Sequence, residues 1–590
     1  MATDHMSACV HPTGKETPNP STSDTSPRTA MLATDAADVL YTPAATGIAS
    51  NVAAFLDSLW APGNATGSAL IRFLQQGSGA RARGLQDKVR EQVSVKDYGA
   101  IGDGGSHPLS SRYPDLAAAQ VDYPFATSLS DEIDWAAFQS AVNQNAGKGI
   151  FVPGGVYVVN RAVSITQGST SVFGSNRLAP IVRTTSATDD IFRIDTGTAP
   201  VSGVSIRHLT LDATVAKTDG AGIRVAASTG GTLYWGLFEY IHMSNKMAYG
   251  LDVQSAFYLE LNEIVVAGVA ANKAGLRFAG LNATSKIVNV FMRNIKVVSG
   301  SHDVVTIGLL ISDHAEGFYA SNVSLESAGL DYSLYVANPS TVFGNAAKNL
   351  FFHNTITDNA SKNGIVIENC QTARFVDVWA TSHAGTGIDL IAGTDIELSS
   401  VSVIANGLHG IQVGPGVSQL RVLGGCVEAN SAKVPNSAAG INVLAGTSSF
   451  TLRDIDFLRA GGAPQHYADI HIAAGASNQY IIESNRCLGG VTHRIFDGGT
   501  GAQKFIRGNL GFNPRVGNIA TPAMAASGVA VTNATGMDVA VYLNGGNVSG
   551  IAVSGTLTGL TASPATVVVP AGAFVQVFYS AAPSWKWIGN

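Results

Sequence analysis

Glycosidic bonds are cut by pairs of carboxylates, one giving a proton while the other acts as base or nucleophile. A separation of about 5 Å leads to retention and about 6.5–9.5 Å to inversion. Glu326 and Asp358 are the acids whose positions fit that role. Each follows a short apolar block of successive repeats, and alignment of the blocks sets Glu326 opposite Thr357, so that Asp358 falls one repeat away with an offset of one residue. Trp379, a flat ring suited to a sugar face, and His383, a titratable imidazole, fall on the next repeat and are the candidate substrate-binding residues. Asp331, in the same loop as Glu326, and Asp377, outward on the strand before Trp379, are substitutes for either acid. Glu428 shares the phase of Glu326 about four repeats away, roughly 19 Å at strand spacing. That excludes one proton-transfer step common to both and leaves Glu428 as a further substitute along one groove. Polar turns carry solvated acids by default, and rings also fill loops. On a polymer of uronic acids, β-elimination by Lys, Arg, Tyr or His is the second mechanism these residue types allow. No cluster of aspartates at ligand spacing calls for a metal, and no cofactor is implied.

The elements that must position these residues show in a repeat. Blocks of small residue, aliphatic, variable, aliphatic recur as "AGIRV", "YGLDV", "AGLRF", "IGLLI", "YSLYV", "NGIVI", "TGIDL", "HGIQV", "AGINV" and "ADIHI". Their steps of about 23 to 33 residues lie in the range of solenoids. The variable column, Arg224, Asp252, Arg277, Leu310, Tyr335, Val366, Asp389, Gln412, Asn442 and His471, is mostly polar, and its aliphatic neighbours face the other way along a strand. A second ladder, "YIHM", "EIVV", "NIKV", "NVSL", "FVDV" and "DIDF", lies between the first. This predicts an all-β chain built as a parallel β-helix of about ten coils; a β-propeller would need a period near 40 residues.

Both ends differ from the repeat. "VSVKDYGAIGDGG" offers neither the lysine of a phosphate loop nor enough oxygens for calcium, so it reads as a structural turn into a cap. "SDEIDWAAFQSAVNQNAG" predicts that cap, an amphipathic helix with Ser130 as N-cap, and "GIFVPGGVYVV" a strand, turn and strand. After Pro514, period-2 alternation with Asn544-Gly545 as a hairpin signal predicts a small antiparallel β domain. Trp585 and Trp587, alternating around Lys586, are expected in packing rather than in ligand binding. Residues 1–30 are rich in Ser, Thr and Pro and are expected to lack a packed core. Short helices are expected in "GIASNVAAFLDSLW" and "SALIRFLQQ". Across the 590 residues, 65 glycines and only 13% charged residues, about half the usual share, fit a turn-rich β protein. A net charge of −6 offers no basic field for nucleic acid. Cys9, Cys370, Cys426 and Cys487 are scattered and read as buried free thiols. No export signal and no apolar run of membrane-spanning length is evident, so a soluble chain without membrane insertion is expected.

"VSVKDYGAIGDGG", followed after an insertion by "DEIDWAAFQSAV" and "GIFVPGGVYVV", resembles the opening segment of the pectate-lyase-like right-handed parallel β-helices, in particular bacteriophage tailspikes. "FLQQGSGARARGLQDKVRE" is similar to the neck of such proteins, and the stretch from Ala520 to Asn590 to a module at their C-terminal ends. The commoner form has paired aspartates soon after the glycine loop, where this chain inserts "SHPLSSRYPDLAAAQVDYPFATSLS". The resemblance implies a homotrimer on a phage tail, with residues 1–74 as virion anchor, 75–92 as neck, 93–513 as glycan-binding β-helix and 514–590 as a C-terminal β domain for trimerisation or carbohydrate contact. Its implied partners are a bacterial surface polysaccharide (capsule, O-antigen or exopolysaccharide), a tail or baseplate protein met through the N-terminus, and further copies of itself. Hydrolysis by Glu326 and Asp358 ranks ahead of a lyase reaction, and a fibre that binds glycan without cutting it is the non-enzymatic alternative.

Overall fold

A computed structural model describes residues 71–589 apart from 228–229, 299–305, 338–345, 459–465 and 513–516. The chain divides into two compact units, 1–91 and 92–590. Residues 1–70 of the expected anchor, including Cys9 and the first amphipathic segment, lie outside the described residues. In the first unit Arg72–Phe73 pairs antiparallel with Arg83–Gly84, and a short helix covers Leu85–Val89. The helix expected in "SALIRFLQQ" is therefore replaced, where described, by a strand.

The second unit is a right-handed parallel β-helix. Every residue of the variable column pairs with its successor, from Arg224 with Asp252 through to Asn442 with His471. Register extends the column through Ser164 and Arg193 at one end and Phe496 at the other, beyond the ten repeats counted from sequence. The aliphatics beside it, such as Leu334, Ile365, Ile388 and Ile411, are buried in one continuous core. Not all of the column faces water. Asp252 is fully buried, held at 3.1 Å by both Arg224 and Arg277, because opposite charges on adjacent rungs close over one another.

The long strands turn sharply at a column of left-handed residues, Glu263, Asn294, Asn322, Asn354, Asp377 and Ser400, with φ between 50° and 56°. Asparagine tolerates that conformation better than most residues. Its side chains also bridge the coils, Asn354 donating to Asn322 at 2.7 Å and Asn322 to Asn294 at 3.0 Å. Each strand thus presents two outward strips, one on either side of the corner.

The cap helix spans Ile133–Gln144 and is buried over most of its length. Its N-cap is Glu132, not Ser130: the Ser130 hydroxyl bonds Ser128 instead, while Glu132 turns its carboxylate to the His107 amide at 2.6 Å. Asp134 reaches out of the first turn to accept from the amides of Ile101 (2.6 Å), Gly102 (3.3 Å) and Val158 (2.9 Å). The glycine loop is therefore clamped by a carboxylate. A Cβ at Gly102, φ 69°, would lie 2.6 Å from the Tyr157 ring. Asp103 bonds the Gly105 amide and His107. Gly149–Val152 and Val156–Val159 form the expected strands on either side of a turn.

The C-terminal module is a sandwich of two antiparallel four-stranded sheets around Val539, Val541, Ile551 and Trp587. Asn544-Gly545 does not close a hairpin. Val539–Asn544 and Asn547–Val553 lie in different sheets, and Gly545 and Gly546, both at φ 68°, carry the chain across the sandwich. Trp587 is buried, and Trp585 donates its indole N–H to Pro522 at 2.8 Å. Cys370, Cys426 and Cys487 are buried free thiols. Among the described residues no helix is long and apolar enough to cross a membrane.

Candidate functional site

Glu326 ends the strand Ala315–Glu326 and Asp358 ends the strand Ala347–Asp358. They are direct partners in register, without the one-residue offset expected from sequence. Both stand on the outward strip that follows the corner asparagines. Below Glu326 in the same column is Val298, and above Asp358 come Thr381, Ile404 and Glu428. Glu428 therefore lies three rungs beyond Asp358 and does not join the pair.

The slip in sequence phase has a local cause. On the Asp358 strand the inward positions are Thr355 and Thr357, both fully buried, and the outward position between them is Ile356. The usual order of apolar inside and polar outside is inverted there. On the next coil the inward positions are apolar again, Val378 and Ala380, but the outward one between them is Trp379, 48% exposed. Trp379 pairs with Ile356 and Ser402, two positions before the acid column and on the same side of the sheet, which makes it the diagonal neighbour of Asp358.

Burial pushes the Asp358 carboxyl above the ordinary aspartate range; a hydrogen bond with Ser382 opposes this, and the charge of Glu326 adds to it. Its Oδ1 is buried without a hydrogen-bond partner. Glu326 accepts from the Ser324 hydroxyl and faces the Lys296 ammonium at 4.0 Å. One acid is thus held ready to carry a proton, beside a second acid with a cation opposite.

The other sequence candidates part from this pair. Asp331 is taken up by Lys362 at 2.8 Å and by the Ser361 hydroxyl, which ties two turns together. Asp377 sits on the corner, 3.3 Å from His353. His383, expected to meet substrate, is instead 1% exposed. Its Nδ1 accepts from the Ala360 amide at 3.0 Å and its Nε2 lies 3.2 Å from the Thr357 hydroxyl, while burial holds its pKa down at about 4. It belongs to a buried ladder with Asn406 and Asn430, and no sugar can reach it. Among the described residues no group of three or more His, Cys, Asp or Glu could hold a metal.

On the other strip of the same coils, before the corner, lies a cleft that sequence reading missed. Phe291, Tyr319 and Phe351 stack rung on rung, with centroids 5.1 and 5.4 Å apart. Arg293, Ser321 and His353 stand beside them and line a cleft of about 360 Å³. The signal was present as "FMRN", "YASN" and "FFHN", an aromatic residue three places before the corner asparagine in three successive coils.

No family model and no curated protein matches the chain. Stacked coils, a capping helix and this register define the right-handed parallel β-helix class, and the structural neighbours are phage tailspikes and β-helix enzymes of the pectate-lyase-like type. Tailspike protein 3 of bacteriophage CBA120 superposes with a TM-score of 0.53 over 75% of this chain and 66% of that one, at 13% identity. The A-module of the Azotobacter vinelandii mannuronan C-5 epimerase AlgE6 gives 0.46 over 71% and 98%, at 15% identity. A double-mutant tailspike of E. coli bacteriophage HK620 gives 0.42 over 89% and 98%, at 12% identity. At such identities the likeness is one of fold.

Proposed function

We propose that the protein is a phage tailspike that binds a bacterial surface polysaccharide and cuts it by glycosidic hydrolysis. The observation that carries this reading is the direct rung pairing of Glu326 with Asp358 on an outward strip, with Trp379 diagonal to Asp358. Asp358, raised by burial, protonates the glycosidic oxygen as the bond breaks. Glu326 attacks the anomeric carbon from the opposite side, and water then releases the sugar with Asp358 acting as base. Adjacent coils stand about 4.8 Å apart, which suits the shorter carboxylate separation and hence retention. Trp379 offers its ring to a neighbouring sugar.

In this reading residues 1–74 anchor the chain on a tail or baseplate protein, 75–92 form the neck, 93–513 the glycan-binding body and 514–590 a domain for trimerisation or carbohydrate contact. The assembly is a homotrimer acting at the host surface. The test is incubation of the purified protein with a panel of bacterial surface polysaccharides, following chain length, reducing ends and unsaturated-uronate absorbance. New reducing ends without unsaturation are expected. Unsaturated ends would replace hydrolysis by elimination, and a polymer that binds without shortening would leave a non-cutting fibre.

A further inference from the structure

The aromatic cleft runs over the two coils of the acid pair and the coil below them. Tyr319 and Glu326 share one strand, Phe351 and Asp358 the next, and only the corner of Asn322 and Asn354 separates the strips. Carbon atoms in contact lie about 3.5–4.0 Å apart. Parallel rings whose centroids are 5.1 and 5.4 Å apart are therefore slipped, and each leaves part of its face uncovered. Tyr319 is 43% exposed.

The charges in the cleft are unequal. Arg374 is committed to Asp395 at 2.8 Å, and His353 to Asp377. Arg293 is exposed and, among the described residues, its side chain has neither hydrogen bond nor ion pair. Its rung neighbours are the uncharged Asn262 and Ser321. An unpaired guanidinium beside partly open ring faces matches a sugar ring bearing a carboxylate, which arginine can bind through two parallel hydrogen bonds. Covering this strip with protein would bury that cation unless an acid met it, and burying an unpaired charge is costly.

Resting on the reading of Glu326 and Asp358 as the cutting pair, we propose that the Phe291–Tyr319–Phe351 cleft is a remote subsite that binds an acidic sugar of the polymer through Arg293, so that the substrate is an anionic polysaccharide crossing the asparagine corner. From Tyr319 to Glu326 is seven strand positions, at most roughly 23 Å. Several sugar residues fit between the subsite and the scissile bond.

The experiment takes the full-length protein and each polymer of the panel that it binds, before and after chemical reduction of the polymer's carboxyl groups to alcohols, and measures affinity for wild type, Arg293→Gln, Arg293→Lys and Tyr319→Ser. Carboxyl reduction and Arg293→Gln are each expected to weaken binding by roughly tenfold or more, with Arg293→Lys intermediate. Wild-type affinity in Arg293→Gln, or affinity unchanged by carboxyl reduction, overturns the subsite while cleavage that depends on Glu326 keeps the functional reading intact. A change of oligomeric mass in Tyr319→Ser assigns the strip to a subunit contact and overturns the subsite too. If no polymer of the panel binds, both readings fall together.

Discussion

At Asp358 the fold disfavours the ionised carboxylate, through burial and through Glu326 one rung away. A carboxyl whose folded pKa is raised is best tolerated at low pH. Its contribution to stability falls as pH rises from the ordinary aspartate value through the raised one, and above that window the strain is fully present. Asp358→Asn should therefore abolish cleavage, by roughly 10³-fold or more, and still melt no lower than wild type at pH 7, as scanning calorimetry will show. A large drop in melting temperature would mean that the carboxylate is structural. The pairing of adjacent rungs leads to a second expectation: the newly formed reducing end, followed by proton NMR during the first turnovers, should carry the same anomeric configuration as the bond that was cut. Inversion would require an acid two coils apart, or one from another subunit.

Among the elements, the buried ladder of His383, Asn406 and Asn430 illustrates what the sequence could and could not convey. Asn406 is fully buried, accepts from the His383 amide at 3.1 Å and donates to Ala380 at 3.2 Å and to Asn430 at 2.8 Å. Asn406→Ala leaves those partners unsatisfied and should cost about 3 kcal/mol, measurable by urea unfolding. His383 and His409 are both held down at about 4 by burial. The unfolded chain takes up protons first as pH falls below about 6.5, so stability should fall between pH 6.5 and 4, by up to about 1.4 kcal/mol per pH unit for each histidine. A flat unfolding midpoint over that range would contradict the burial of these rings. In the sequence His383 looked like a surface imidazole because a polar turn says nothing about which way it folds. The first ladder was legible position by position, since small, aliphatic, variable, aliphatic admits one register only. The second was not, because Thr355 and Thr357 point inward while Ile356 and Trp379 point outward. The inversion lies on the strip that carries the acids, and for that reason periodicity set Glu326 opposite Thr357 instead of Asp358.

For the molecule as a whole, the open ends of the coil stack set the limits. Parallel strands at either end leave backbone groups and core side chains uncovered, and repeat proteins close such ends with dissimilar elements. At one end the helix Ile133–Gln144 does this, and it was visible from its apolar face. At the other, the last coil strand, Lys504–Arg507, pairs on one side with Asn478–Glu483, and its Ile506 amide donates to Gly536 of the C-terminal module at 2.8 Å. The module was readable as antiparallel β, but its division into two sheets was not, because Asn544-Gly545 signals a hairpin while a second left-handed glycine, Gly546, carries the chain on to the other sheet. Its core around Trp587 is separate from that of the coils, so the module can be removed without cutting the helix core. A chain truncated after residue 513 should keep its parallel-sheet circular dichroism yet expose the top coil as an unpaired edge. Light scattering should then show the full chain at three chain masses and the truncated one as open-ended aggregates. A truncated chain that stays a soluble trimer would mean that the coils themselves hold the subunits together and that residues 514–590 serve carbohydrate contact instead.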